Sequence, residues 1–318
     1  MFGFAVVSDF WPLLLIAIVG TLNPSSGDVS VFLPLEQAVL ARSVTDQQRT
    51  AVFGRYSLVG ALVGAAGALF AGFPEFLASA LHIADKSAWQ LMFVLYGLLG
   101  FASGMIYRKL PRRLAAESDG RATPLRQSRR IVFLLAALFS LDAFGGGFIV
   151  QSLLALWLFQ AFHLSIAVAG TIFFWTGVLS ALSYLVAVRL SHRIGLINTM
   201  VFTHLPANAL LLVIPFIPNL PWVVVLLFVR AALSQMDVPT RNSYVMAIVT
   251  PGERAAAASI TSVPRSLAAS LSPLLAGYLL GVSTFGWPLV CAGALKIVYD
   301  LLLLATCRKI RPAEELTR

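Results

Sequence analysis

The sequence has few charged residues. Asp, Glu, Lys and Arg together make up only 12% of its 318 residues, whereas 58% of the residues are hydrophobic. A typical soluble domain has about twice that share of charged residues, because much of its surface must be wetted. A soluble enzyme or soluble binding domain is therefore excluded, and the mean hydropathy of +0.85 indicates a membrane protein.

Cysteine, histidine and the usual catalytic motifs are also scarce. The two cysteines, Cys291 and Cys307, fall in one apolar segment and predict no disulfide framework. The sequence has only four histidines, no metal-ligand cluster, no phosphate-binding Gly-Lys-Ser/Thr loop and no paired-acid motif. We expect no enzymatic activity, no metal and no cofactor. An intramembrane enzyme would need a charged cluster that resists pairing, and it stays a third alternative.

Long apolar segments are abundant. A membrane-spanning helix needs roughly 20 apolar residues, and the chain has nine such segments, which predict an all-α polytopic membrane protein with about nine full transmembrane helices. Residues 1–8 resemble the end of a tenth span. The nine segments are 9–40, 50–72, 89–107, 131–160, 166–190, 196–217, 220–248, 255–281 and 284–306.

The basic residues predict the orientation of these spans. When the spans are threaded alternately through a membrane, 17 of the 23 Lys and Arg residues fall on one face, one falls on the other face, and five lie inside spans. Cytoplasmic loops collect Lys and Arg, so we expect the C-terminus and the 108–130 loop to be cytoplasmic. The net charge of +9 then reflects topology rather than nucleic-acid binding. We expect a multi-pass protein of a bacterial inner membrane.

Two stretches of the chain, 49–72 and 254–277, match at a fixed offset of 205 residues. An internal repeat of this length in a membrane protein indicates a two-repeat transporter with its site between the halves. The first copy has about forty fewer helical residues in front of it, so we expect the front end of this architecture to be missing. The matched pairs are Arg49 and Arg254, Ala51 and Ala256, Ser57 and Ser262, Leu62 and Leu267, Leu69 and Leu274, Ala71 and Ala276, and Gly72 and Gly277.

Several motifs resemble the major facilitator superfamily of transporters. Six spans follow a basic linker at 108–130, as in the second half of these proteins. The loop 189–195 is similar to the family signature Gly-x-x-x-Asp-Arg-x-Gly, in which Arg193 and Gly195 fit and His192 replaces Asp. Arg230 in mid-span and the Gly-Glu-Arg sequence ending at Arg254 are also familiar in this family.

The resemblance implies a two-bundle fold that is truncated at its N-terminus. Residues 1–107 would form a partial N-terminal bundle, made of the end of helix three and helices four to six. Residues 108–130 would be a cytoplasmic linker, 131–307 the C-terminal six-helix bundle and 308–318 a cytoplasmic tail. Helices one, two and most of three have no counterpart. The implied mechanism is alternating access, in which the two bundles rock about a midplane site.

Charged residues inside the spans are the candidate site residues, because charge in hydrocarbon is costly and normally faces a cavity or a partner. At about 1.5 Å per residue, Asp142, Arg230, Arg265 and Lys296 lie near mid-depth. Three bases against one acid predict a cavity that accepts an anionic group. We expect Asp142 to be a proton-linked acid and Arg230 and Arg265 to be substrate or switch partners, with Gln151 and Asp28 as further candidates.

Other polar residues have competing structural interpretations. Asp237 and Arg241, like Lys296 and Asp300, are four residues apart and can form local pairs. Arg55 can reach the lipid head groups, and Arg193 and Gly195 are candidates for a conformational role. The run Asn23, Pro24 and Gly27 either breaks a helix to aim N–H groups at a ligand or forms a simple kink. Gly145–Gly147 permit a bend or close helix approach. Gln151, Trp175, His204, Asn208 and Gln235 are placed to line a cavity or to bind between helices.

The predicted function is secondary active transport of a small solute, with proton coupling. The substrate is either an organic anion or zwitterion, or an exported amphipathic compound. The expected partners are this solute, protons and the lipid bilayer, and no nucleic acid. The alternative is a non-transporting, truncated membrane protein that acts as an assembly partner.

Overall fold

The structure, a computed structural model, describes residues 2–19, 36, 39–41, 44–45, 48–108, 125–308 and 310. These residues form helices and turns, with no strand among them. The helices with described bounds are α1 Phe2–Val6, α2 Phe10–Val19, α3 Arg49–Leu69, α4 Phe73–Leu81, α5 Asp85–Arg108, α6 Arg129–Gly147, α7 Gln151–Phe162, α8 Ile166–Ile194, α9 Leu196–Val213, α10 Leu220–Ser234, α11 Asp237–Ile248, α12 Arg254–Val282 and α13 Trp287–Cys307.

Eight segments of the described chain are long and apolar enough to cross a membrane. They confirm the second to ninth predicted spans, so the chain is an all-α, multi-pass membrane protein. The first predicted span, 9–40, begins as α2 and then passes outside the described residues. The eight segments are Arg49–Leu81, Asp85–Met105, Arg129–Phe162, Ile166–Ile194, Leu196–Phe216, Leu220–Ile248, Pro251–Val282 and Trp287–Cys307.

Two of these spans are interrupted near their middle. The Arg129–Phe162 span stops being helical after Gly145–Gly147 and restarts at Gln151. The break follows these three glycines because glycine destabilises a helix. The Leu220–Ile248 span breaks at Gln235 and Met236 and restarts at Asp237. Pro239 lies in the first turn of the restarted helix, where its missing N–H costs no hydrogen bond. Both breaks place backbone turns and polar side chains at mid-membrane depth.

The last six spans pack against each other as one bundle. Helix α6 lies along α12 and α13, and α9 contacts α13, α10 and α11. One apolar core, toward the end of the bundle where α6 and α12 begin, includes Phe139, Met200 and Tyr244. A second core, toward the opposite end, includes Trp157 and Leu227. The middle, between these cores, holds the charged side chains.

Helix α3 joins this bundle through α8 along much of its length and through α11 at one end. The contact with α8 depends on small residues, because a Cβ at Gly170 would lie 2.9 Å from the carbonyl oxygen of Ala68. At the α11 end, the Thr50 hydroxyl donates a hydrogen bond of 2.7 Å to the Ser243 hydroxyl. Both repeat copies form a helix that begins at the matched arginine, α3 at Arg49 and α12 at Arg254.

Glu253 ties the start of α12 to the start of α6. Its carboxylate accepts hydrogen bonds from the backbone N–H groups of Arg126 (2.6 Å), Gln127 (2.9 Å) and Ser128 (3.2 Å). Ser128 directly precedes α6, so a negative charge lies where the helix dipole and the free N–H groups favour it. This contact fixes the entry of the chain into the six-span bundle.

The close contact of α6 with α12 at Gly147 yields a stability prediction. A Cβ at Gly147 would lie 2.6 Å from the carbonyl oxygen of Ala269 and would collide with the Ser272 hydroxyl. We expect Gly147→Ala to lower the free energy of unfolding by about 1–3 kcal/mol through overpacking, measured by thermal or denaturant unfolding in detergent. The matched control is Gly277→Ala on α12, where a Cβ would meet no described atom within 4 Å. Equal stability of the two variants would contradict the close contact.

Candidate functional site

A cavity of about 1120 Å³ lies between α3 and the six-span bundle. Its wall is formed by side chains from α3 and from α6 to α13, including residues beside both span breaks. The charged residues on the wall, within the described chain, are Arg55, Asp142, Arg230, Asp237, Arg241, Arg265 and Lys296. Six of these seven were predicted as site residues from the sequence; Arg55 was expected to face the lipid head groups, yet it lines the cavity.

Asp142 is the centre of the charged cluster. Its Oδ1 accepts a 2.5 Å hydrogen bond from Lys296 Nζ on α13. Its Oδ2 lies 3.5 Å from Arg241 NH1 on α11, and His204 Nε2 on α9 lies 3.9 Å from Oδ1. The Asp142 side chain is only 4% exposed. A carboxylate buried this deeply is tolerable only with charged partners, and here Lys296 and Arg241 supply them from two other helices.

The two predicted local pairs have different outcomes. Arg241 NH1 donates to Asp237 Oδ2 at 3.0 Å, so this i,i+4 pair forms within α11. Lys296 and Asp300 do not pair with each other, because Lys296 turns toward Asp142 and Asp300 turns toward α9. The tertiary partner of Lys296 is 154 positions away in the chain, and spacing along one helix gives no signal for it.

His204, Asn208 and Asp300 form a second polar cluster. His204 Nδ1 is 2.8 Å from Asp300 Oδ1, and the Asn208 amide nitrogen donates to Asp300 Oδ2 at 2.9 Å. All three side chains are buried, and Asp300 and Asn208 have no exposed surface. The sequence predicted that His204 and Asn208 line a cavity or bind between helices, without identifying Asp300 as their partner. Their i,i+4 spacing was the available signal, since it puts both on one face of α9.

The remaining cations give the cavity a positive excess. Five cationic and two carboxylate side chains line it in the described chain, a formal difference of +3. The Nε of Arg230 is buried and has no hydrogen-bond partner among the described residues. A buried donor without a partner is costly, so Arg230 provides a ready site for an acceptor group on a bound molecule.

Several other predicted residues lie elsewhere. Arg193 is in the last turn of α8, and Gly195 ends that helix with a φ of 86°, which favours glycine; neither lines the cavity. Gln151 and Gln235 line it, whereas Trp175 is half exposed. Asn23, Pro24, Gly27 and Asp28 lie outside the described residues. Within the described chain, no group of three or more His, Cys, Asp or Glu side chains is arranged to hold a metal ion.

The contact between Asp142 and Lys296 predicts strong energetic coupling. Lys296→Met removes the nearest cation from a buried carboxylate, and we expect the free energy of unfolding to fall by about 3–5 kcal/mol. Adding Asp142→Asn removes the uncompensated charge, so the double variant should recover part of that loss. A double-mutant cycle of unfolding free energies in detergent measures the coupling.

The control for this cycle is Lys86→Met. Lys86 lies at the exposed start of α5, where its Nζ donates to Ser8 Oγ at 2.9 Å, and we expect a change within about 0.5 kcal/mol. Losses that simply add in the double variant would show that Asp142 and Lys296 do not depend on each other.

Comparison with known proteins agrees with this architecture. Residues 132–317 match the sequence profile of the Major Facilitator Superfamily. A yeast protein described as "Uncharacterized membrane protein YJR124C", from Saccharomyces cerevisiae, is 24% identical over 337 residues, covering 94% of this chain and 75% of its own length. The crystal structure of the human organic anion transporter MFSD10 (TETRAN) superposes with a TM-score of 0.64, covering 95% of this chain and 73% of that one at 19% identity.

The profile match covers more than half of the chain and includes five complete spans and nearly all of a sixth. The structural match independently supports the transporter fold. The membrane spans, the cavity between helices and the absence of enzymatic motifs all agree with these matches. This chain therefore belongs to the Major Facilitator Superfamily and is a membrane transporter rather than an enzyme.

Proposed function

We propose that this protein transports a small organic anion by alternating access and couples the movement to protons. The observation that carries the proposal is the positive excess on the cavity wall among the described residues. Charge in a low-dielectric site is costly unless it is balanced. A negatively charged solute supplies that balance, whereas a cationic solute would add to the excess.

The individual cations suggest how an anion is held. Arg241 and Lys296 already contact carboxylates, so their charge is partly balanced. Arg230 contributes a buried Nε that has no hydrogen-bond partner in the described chain. A guanidinium binds a planar carboxylate or a sulfonate with two parallel hydrogen bonds. We therefore assign Arg230 to the acidic group of the substrate, with Arg55 and Arg265 contributing to the local positive field.

The rest of the cavity suits the organic part of such a solute. Aromatic and aliphatic side chains on its wall include Phe173, Leu154, Leu227 and Tyr184. The volume of about 1120 Å³ lies slightly above the range of about 300–1,000 Å³ for small-molecule sites, so such a solute fits with room to spare. The human transporter that shares the fold is described as an organic anion transporter, which agrees with the same substrate class. An exported amphipathic compound that carries an acidic group also fits.

Proton coupling is proposed through Asp142. Lys296 and Arg241 contact its carboxylate and balance its charge. A bound anion would compete for Lys296, and Asp142 would then bind a proton more readily because it would have one cation fewer. The protonated Asp142 and the anion would cross together, which spares the membrane an unbalanced charge.

Transport by purified protein in liposomes tests the substrate class. We expect saturable uptake of naphthalene-1,5-disulfonate, which stays anionic at all working pH values, and no uptake of the size-matched cation trimethyl(1-naphthyl)ammonium. Arg230→Gln should reduce the anion uptake at least tenfold, because it removes the charge that holds the acidic group.

The control for Arg230→Gln is Arg189→Gln, which removes an exposed arginine near the end of α8 and should leave uptake unchanged. Uptake of the cation but not of the anion would reject the anion assignment. If neither probe is taken up, the alternative of a non-transporting membrane protein or assembly partner is favoured.

We also propose that the C-terminus and the ends where α6 and α12 begin are cytoplasmic, because basic residues concentrate there. In a variant without Cys291 and Cys307, a single cysteine at position 126 should be protected from a membrane-impermeant thiol reagent in intact cells, and one at position 86 should be labelled. The reverse pattern would invert the topology. The expected bacterial inner membrane stays a prediction, since the two relatives compared are eukaryotic proteins.

A further inference from the structure

The buried side chains of His204, which lines the cavity, and Asp300, which lies behind it, have a geometry suited to holding a proton. His204 and Asn208 lie one turn apart on α9, and Asp300 faces them from α13. His204 Nδ1 lies 2.8 Å from Asp300 Oδ1 and 3.1 Å from the Asn208 amide nitrogen. The ring nitrogen therefore has an acceptor and a donor within reach at the same time.

A single ring nitrogen cannot serve both neighbours in one protonation state. With a proton on Nδ1, the ring donates to the Asp300 carboxylate, and Asn208 donates to the other carboxylate oxygen at 2.9 Å. With the proton on Asp300, the acid donates to Nδ1 instead. In both cases the Asn208 amide nitrogen can keep donating to Asp300 Oδ2. The same arrangement of heavy atoms thus accommodates a proton on either residue.

Asp300 also has no permanent countercharge of its own. In the described chain, the hydrogen bonds to its carboxylate come from His204 and Asn208, whereas Asp142 has Lys296 and Arg241. Asp300 has no exposed surface, and an unbalanced carboxylate there would be severely penalised. A proton shared with His204 removes that penalty.

The pair connects to the cavity through one residue. His204 Nε2 lies 3.9 Å from Asp142 Oδ1, and both residues line the cavity while Asp300 does not. This gap is longer than a hydrogen bond, so proton transfer needs a small side-chain movement or a bridging water. When Lys296 releases Asp142, the Asp142 side chain is free to move toward His204. Imidazole can take up a proton at one nitrogen and release one at the other.

We propose that His204 and Asp300, supported by Asn208, form a buried proton-binding site that exchanges its proton with the cavity through Asp142. Its use in coupling depends on the proposed transport, but the site itself does not require a solute. Proton transfer here forms an N–H or O–H bond at one partner and breaks one at the other, with no further reactant.

Further charged and titratable groups lie on the helix of Asp300 and on the wall of the cavity that His204 lines. Lys296 and Tyr299 flank Asp300 on α13, and the Tyr299 ring centroid lies 6.0 Å from that of His204. The other neighbouring helices contribute Asp142 from α6, Tyr184 from α8, Arg230 from α10, Asp237 and Arg241 from α11, and Arg265 from α12. An anion bound among these cations favours an added proton on the pair, and by reciprocity a proton on the pair favours anion binding.

Infrared difference spectroscopy between mildly alkaline and mildly acidic pH tests the site without any solute. In the wild-type protein we expect a carboxyl signal that is lost in Asp300→Asn and shifted in His204→Gln. The His204→Gln change keeps a hydrogen-bonding side chain beside Asp300 but removes the titratable ring. The matched controls are Asp85→Asn and His192→Gln, which change exposed residues and should keep that signal. A difference spectrum of Asp300→Asn that equals the wild-type spectrum overturns the proposal. If neither variant folds, absence of any buried carboxyl signal in the wild-type protein also overturns it.

A second measurement separates this site from the proposed transport. We expect the affinity of the wild-type protein for naphthalene-1,5-disulfonate, measured by calorimetry, to rise several-fold as the pH falls. In Asp300→Asn the ratio of the affinities at the two pH values should approach one. If Asp300→Asn keeps the wild-type ratio of affinities at the two pH values, the site is rejected as the coupling group. If wild-type protein does not bind the anion but keeps the Asp300-dependent infrared signal, the transport proposal fails while the proton site stands.

Discussion

The cost of placing the Asp142 carboxylate in the middle of a membrane protein controls the arrangement of the surrounding helices. Lys296, Arg241 and His204 come from three different helices, and each must reach within about 4 Å of that one side chain. The α6, α9, α11 and α13 backbones are therefore held in a narrow range of positions. The break before Asp237 contributes to this arrangement, because it separates the restarted helix that carries Arg241 from α10. The two apolar cores then pack on either side of this polar centre, whose geometry is set by the ion pairs of Asp142.

The same centre explains why a solute can affect the whole bundle. Lys296 and Arg241 balance carboxylates, while the described residues of the cavity wall carry more positive than negative charge. A bound anion changes which negative group each of these cations balances. Since each cation belongs to a different helix, redistribution of these contacts acts on helix positions directly. An electrostatic exchange of this kind needs no long chain of intermediate contacts between the binding site and the moving elements.

More of the fold than of the site could be predicted from the sequence. Length and hydropathy located the second to ninth spans, because a membrane requires long apolar helices and tolerates few exceptions. The charged residues at mid-depth were found by the same argument, and Asp237 with Arg241 paired as their spacing suggested. The partner of Lys296 and the cluster of His204, Asn208 and Asp300 were not predictable. Their contacts join residues 92 to 154 positions apart, and only the three-dimensional packing of α9 and α13 against the bundle determines them. The break at Gln235 was also missed, since neither Gly nor Pro stands at that point.

The contact between α3 and α8 has a mechanical consequence. Gly170 and Gly177 approach Ala68 and Ala65 so closely that a Cβ on either glycine would lie within 3 Å of the neighbouring helix. At these two glycines no large side chain lies between the helices, whereas nearer the start of α3 the Val188 side chain packs against Gly54. The α6–α12 contact is different, because Gly147 is enclosed by Ser272, Ala269 and Pro273. Close approach at small residues thus favours sliding of α3 on α8, whereas the enclosure of Gly147 favours movement of α6 and α12 together.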